Sequence, residues 1–191
     1  METRELPIVA GHLALDFANT VDDPLGPARH DHLATYPDLV RWSVRAGVLE
    51  PRTELTPSRA ALRRAHALRD TLNDVFGAVA TGGEVRWVEL RPYVVDAVAH
   101  ASLSETHSLT WPDASEPHAM LWPVAHAAAE LLTSQDVHRV KRCAGCPWLF
   151  LDRSRNGSRR WCAMNDCGTH EKIRKYVARR AARRSPPLRD F

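Results

Sequence analysis

The chain has 191 residues, 44% of them apolar, and a formal charge of +3 with histidine neutral. That length admits one domain, or one domain with a small appended module, and 13 prolines argue for many short elements. No run approaches the length of a membrane span, and the opening "METRELPIVAGH" has neither a basic lead nor a small-residue cleavage site, so the expected compartment is the cytoplasm, with no membrane partner.

The small net charge conceals a split. Residues 1–138 hold 11 Lys+Arg against 19 Asp+Glu, a balance of −8, whereas residues 139–191 hold 15 against 4, a balance of +11. Such an asymmetry implies two parts with two kinds of partner. It predicts a boundary near Ser134 to His138, with an acidic domain over 1–136 and a basic one over 137–191.

In chain order, "LALDFANTV" places Leu13, Phe17 and Val21 at helical spacing. "YPDLVRWSVRAG" reads as a helix with Pro37 near its start and Gly47 as its stop. "TPSRAALRRAHALRDTLNDVFGAVATGG" is the clearest helix. Thr56 is its predicted cap and Pro57 sits in the first turn. Leu62, Leu68, Leu72, Val75, Phe76 and Val79 form its apolar stripe, and Gly82 ends it. "EVRWVELRPYVVDAVAHAS" predicts a further helix that starts or bends at Pro92. "HSLTW" and "PHAMLWP" read as a short β-hairpin, and "PVAHAAAELLTS" as a helix from Pro123. No internal repeat is visible. The fold class expected is mainly α with a small β-hairpin, an α+β arrangement.

His12, Asp16 and Asn19 are polar residues inside the apolar stretch "GHLALDFANTV". They either anchor loop backbone or line a candidate ligand pocket for an unknown small molecule. Asp96–His100 and His66–Asp70 are further i, i+4 pairs of the kind found on surfaces and in satisfied cores. His30-Asp31-His32 resembles a metal clip but sits in a Pro/Gly-rich loop. The sequence holds no nucleophile elbow, P-loop or dinucleotide fingerprint, so enzymatic activity has no positive support.

All four cysteines lie in one stretch: Cys143-x2-Cys146, fifteen residues, then Cys162-x4-Cys167. In a reducing compartment disulfides are a poor explanation. Zn²⁺ seeks four ligands in a tetrahedron, and two local thiol pairs supply them. The alternatives are a redox CxxC, which wants a strand–helix context absent here, and an iron–sulfur cluster. Four sulfurs would close the shell and leave no position for catalytic water. His170 is a competing fourth ligand that a complete cysteine set makes redundant. Between the pairs, "WLFLD" and "SRRWC" read as strands joined at Asn156-Gly157. "THEKIRKYVARRAARR" follows as a helix capped by Thr169. Turn, hairpin and helix together make a treble-clef-like layout. Trp148, Trp161 and Phe150 are its expected small core, and Asp152 and Ser154 are expected to fix the hairpin and orient an arginine.

The run "CAGCPWLFLDRSRNGSRRWCAMNDCGTHEKIRKYVARR" resembles the CGNR-type zinc finger of bacterial regulators. "GHLALDFANTV" with "ATYPDLVRWSVRAGVL" is similar to the opening of the ABATE domain that precedes this finger. The resemblance implies a stress-linked transcription regulator. Cys167-Gly168-Thr169-His170 stands where that family has Cys-Gly-Asn-Arg, which keeps the ligand and changes the last side chain.

On the basic helix, Lys172, Lys175, Arg179 and Arg183 share one face, and Ile173, Tyr176 and Val177 share another that would pack on the hairpin. Arg159, Arg160, Arg174, Lys175 and Arg179 are the candidate phosphate contacts on DNA. Protein docking, RNA binding, or docking on the acidic half are the alternatives. So is a purely structural finger beside a pocket or enzymatic N-terminal domain. A homodimer would suit a palindromic site, although no heptad pattern supports one.

Overall fold

A computed structural model describes residues 6–22, 30–51, 53, 55–112 and 115–184, with only the backbone of 181–184. Arg183 therefore lies outside the described side chains, as do residues 1–5 of the opening segment. The elements are α1 (Leu13–Ala18), β1 (Val21–Asp22), β2 (His30–Asp31), α2 (Tyr36–Arg45), α3 (Arg59–Thr81), α4 (Arg91–Ala99), β3 (Ser102–Leu103), β4 (Leu109–Thr110), α5 (Leu121–Thr133), β5 (Val140–Arg142), β6 (Leu149–Leu151) and α6 (Thr169–Arg184). Each pair of successive strands forms a two-stranded antiparallel sheet. The α+β class holds.

The caps explain most boundaries. Thr35 accepts the Asp38 amide while Asp38 returns the bond, a capping box that starts α2. Gly47 (φ +72°) follows the Ala46 cap, and Gly82 (φ +69°) closes α3 in the left-handed conformation that costs glycine least. The start of α3 differs from expectation. Ser58, not Thr56, is the cap, its hydroxyl accepting the Ala61 amide at 3.1 Å. Pro57 thus stands outside the helix. The second sheet also differs from expectation: Leu109–Thr110 pairs with Ser102–Leu103 around the Ser104–Ser108 turn, while "PHAMLWP" enters α5 two residues before Pro123.

The short helix α1 sits at the centre. Five of its six residues are buried, and it packs against α3, α5 and β6. α3 contributes Ala61, Ala65, Leu68, Leu72, Val75 and Phe76 to the same core. It also contributes Arg69, whose side chain is fully buried. That guanidinium makes a bidentate pair with Asp31 at 2.6 and 2.8 Å, which ties β2 to α3.

The basic region does not build a separate core. Val140, Leu149, Phe150, Leu151, Cys143 and Cys162 belong to the same cluster as Leu15, Phe17, Leu68 and Phe76. Trp148 and Trp161 pack on its edge. The bond across the seam is specific: Asn19 donates to the Leu149 carbonyl at 2.8 Å and accepts the Leu149 amide at 2.9 Å. One side chain thus stands in for a neighbouring strand. A second bond joins the Leu151 amide to the Ala10 carbonyl at 2.8 Å.

Candidate metal centre and basic surface

The thiols arrive from two local segments. Cys143 and Cys146 flank the turn between β5 and β6, with Cys143 donating its amide to Trp148 at 2.8 Å. Cys162 follows the loop after β6, and Cys167 lies in a π-helical turn, Met164–Gly168, that leads into α6. The turn is tight because nothing stands at Gly145: a Cβ there would come within 3.3 Å of the Cys167 Cβ and 3.6 Å of the Trp161 ring. The Gly145 and Cys162 amides point at the Cys143 sulfur at 3.4 and 3.3 Å.

The sulfurs fit a tetrahedral ion. All four lie within 4.8 Å of one another and none is in a disulfide. Cys162 Sγ is 3.6 Å from Cys146 Sγ and 3.7 Å from Cys167 Sγ. A tetrahedron with Zn–S near 2.3 Å requires S···S of about 3.8 Å. The electrostatics need the cation. The Cys162 thiol hydrogen-bonds to Cys146 and brings its pKa down to about 6. The same contact pushes Cys162 up, and burial together with the Cys146 charge pushes Cys167 up to about 12. Four adjacent thiolates are untenable without a divalent ion among them. Among the described residues no other group of three or more ligand side chains converges. His30, Asp31 and His32 do not form a clip: Asp31 serves Arg69, and His32 Nε2 lies 3.0 Å from Asp22. His170 is exposed, 3.8 Å from Asp166, and outside the sulfur set.

A loop held by one carboxylate supports the second thiol pair. Asp152 is fully buried and accepts from the Ser154 amide and hydroxyl, the Arg159 amide and Lys141 Nζ, at 2.9, 2.6, 3.0 and 2.7 Å. Burial alone would raise its pKa, but Lys141 and these donors hold it far below the usual carboxylate range. This hub explains why the predicted hairpin at Asn156-Gly157 has no returning strand. The turn exists, with Gly157 at φ +58°, but the following backbone bonds to Asp152 and, through the Arg160 carbonyl, to the Ala144 amide. The strand that pairs with β6 precedes the cysteines instead.

The five candidate phosphate contacts part company here. Arg159 donates Nε to the Trp161 carbonyl at 2.7 Å and Nη2 to the Cys162 and Val9 carbonyls, with its guanidinium 4.8 Å from the centre of the Phe150 ring. It is framework, bracing the backbone beside the metal ligands. Arg160 is exposed over Trp161. Arg174 and Lys175 are exposed and share Glu171, and Arg179 is exposed. Thr169 does not cap α6; its hydroxyl donates to the Met164 carbonyl at 3.1 Å. Nor do Ile173, Tyr176 and Val177 pack on a hairpin. They are 55, 64 and 58% exposed, because α6 leaves the body and rests chiefly on the Met164–Gly168 turn.

The three candidate pocket residues also separate. His12 and Asp16 border one open cavity of about 410 Å³. Asp16 Oδ1 accepts the Val9 and Ala10 amides at 2.9 Å each. Asn19 lies elsewhere, spent on Leu149. The polar residues that sequence reasoning missed are Arg69, Lys141 and the reach of Asn19. A buried arginine on a helix already rich in arginine carries no sequence signal, whereas the asparagine in an apolar stretch did.

This arrangement defines a zinc-finger protein whose four-cysteine site holds Zn²⁺. Residues 139–180 match the CGNR zinc finger, and residues 11–135 match ABATE, a family described as "Putative stress-induced transcription regulator". The chain belongs to the ABATE family, and the finger follows that domain within it. A search of curated proteins finds no match. Among the described residues no helix is long and apolar enough to cross a membrane.

Proposed function

We propose that the protein is a DNA-contacting transcription regulator whose finger meets phosphates and whose N-terminal helices receive the regulatory input, a small ligand or an assembly partner. The observation that carries this is α6 itself: a cationic helix led into by the turn that carries the metal ligand Cys167, and exposed from Lys172 to Arg180. Arg160, Arg174, Lys175 and Arg179 are its proposed contacts, with Glu171 offsetting part of the charge. Arg155, exposed on the Asp152 loop, joins them in place of Arg159.

Fluorescence anisotropy with duplex DNA across salt tests the reading. Five phosphates neutralised give a slope of log K on log salt of about −4.5. Replacing Arg174, Lys175 and Arg179 by alanine flattens the slope while zinc stays at one per chain. Affinity indifferent to salt would sink the proposal.

A second reading rests on the uncovered apolar residues of α6. A helix that only tracks phosphates has no use for Ile173, Tyr176 and Val177 in solvent, so a protein partner would cover them. Among the described residues α6 rests chiefly on the Met164–Gly168 turn rather than on the acidic half of its own chain.

A further inference from the structure

The exposed surface of α6 has an order of its own. Ile173, Tyr176, Val177 and Arg180 stand at i, i+3, i+4 and i+7, so they form one strip along the helix. Lys172 and Arg179 border that strip on one side and Arg174 on the other. Glu171, the one acidic residue of the helix, lies on the opposite face, where it pairs with Lys175 at 3.4 Å and with Arg174. Among the described residues the body does not cover the strip: every residue from Lys172 to Arg180 is exposed, and the helix rests chiefly on the Met164–Gly168 turn.

The borders of the strip identify its occupant. A helix face that docks on another helix carries charges of both signs along its edges, which set partner and register. Here both edges are cationic and the carboxylate is turned away. An apolar strip between two positive rows matches the major groove of duplex DNA. That groove has a phosphate rim on each side and a width of about 12 Å, which admits a helix, and the apolar group on its floor is the thymine C5-methyl. RNA offers neither that methyl nor a major groove open to side chains. From Ile173 to Val177 the helix rises about 6 Å, close to two base steps. We infer that α6 lies in the major groove, with Ile173 and Val177 packed on the methyl groups of two thymines and Arg174 and Arg179 toward opposite rims. This rests on the DNA reading above and adds to it the residues that choose a sequence. Phosphate contacts fix orientation without reading bases, whereas methyl contacts distinguish thymine from the other three.

The test selects a randomised duplex library on the zinc-loaded full chain and measures the enriched duplex by anisotropy. Enriched sites are expected to hold two thymines, on either strand, within about three base pairs. Replacing either thymine by uracil removes one methyl and leaves pairing and charge intact. It should weaken binding about fourfold, the worth of one buried methyl group. Ile173→Ser and Val177→Ser should each bring the thymine-to-uracil ratio at one position close to one, because no contact remains to lose. Val95→Ser, an equally exposed apolar change on α4, should leave both ratios as they are. Equal affinity for the thymine and uracil duplexes overturns the inference. So does a ratio that survives in both α6 serine variants, since the preference would then come from duplex shape. A library that yields no enriched sequence overturns it too and leaves the strip to the protein partner of the second reading. In each of these cases a persisting salt slope keeps the phosphate reading alive, whereas loss of all DNA binding removes both.

Discussion

β6 and α6 belong to the same matched zinc-finger region, yet they are opposites. All three residues of β6 are buried in the core shared with α1 and α3, and its backbone is read by Asn19. From Lys172 to Arg180 every residue of α6 is exposed. The finger therefore has an inner half that belongs to the fold of the whole chain and an outer half that the described residues leave uncovered. The zinc site is the hinge pin between them, since its ligands flank the first and open the second.

The widest breach of this comparison is loss of the metal. Cys143→Ser should drop zinc below one per chain by elemental analysis. Because the strand beside it lies in the common core, the N-terminal helices should also lose stability, and chelation should give one cooperative melting transition rather than two. A finger that melts alone, leaving the helical part intact, would show that the shared core is energetically divided.

Two substitutions probe the inner half without touching a ligand. Asn19→Ala strands both the amide and the carbonyl of Leu149 and should cost about 3 kcal/mol in denaturant unfolding, at unchanged zinc content. Asp152→Asn leaves Lys141 facing a neutral group and frees the loop that carries Arg159; about 2 kcal/mol is expected, with faster zinc transfer to a chelator. Parity of either variant with the parent would mean that these bonds merely decorate the seam.

The smallest effect belongs to the outer half. Ile173→Ser removes apolar surface that water already wets, so stability should change by less than about 0.5 kcal/mol. A clear shift in partner binding with no shift in melting would sharpen the division. A large loss of stability would mean that α6 is packed after all.

The parts legible in the sequence were those whose chemistry is local. Cysteine pairs at short spacing announce a metal whatever surrounds them, and the Pro37, Gly47 and Gly82 signals act within a turn. The illegible parts depend on distance. Nothing near Asn19 says that its partner is Leu149, and nothing near "WLFLD" says that its neighbour strand precedes the cysteines rather than follows them. Periodicity gave the apolar stripe of α6 correctly but could not say whether anything covers it. The hairpin failed because one carboxylate, Asp152, took the hydrogen bonds that a returning strand would have used. Among the candidate arginines, Arg159 and Arg160 are adjacent in sequence and opposite in surroundings, one spent on the Trp161 and Cys162 carbonyls beside Phe150 and the other exposed, a distinction that only the fold can make.

The two-way bond between Asn19 and Leu149 has a bearing on how such a molecule can be cut and recombined. A fragment beginning at the finger would carry a bare strand edge and an uncovered phenylalanine, and would need solubilising help even when loaded with metal. A graft meant to move this finger onto another scaffold should bring the segment from Val9 to Asn19 along as a splint, so that the transplanted unit is two pieces of chain far apart in sequence and inseparable in space.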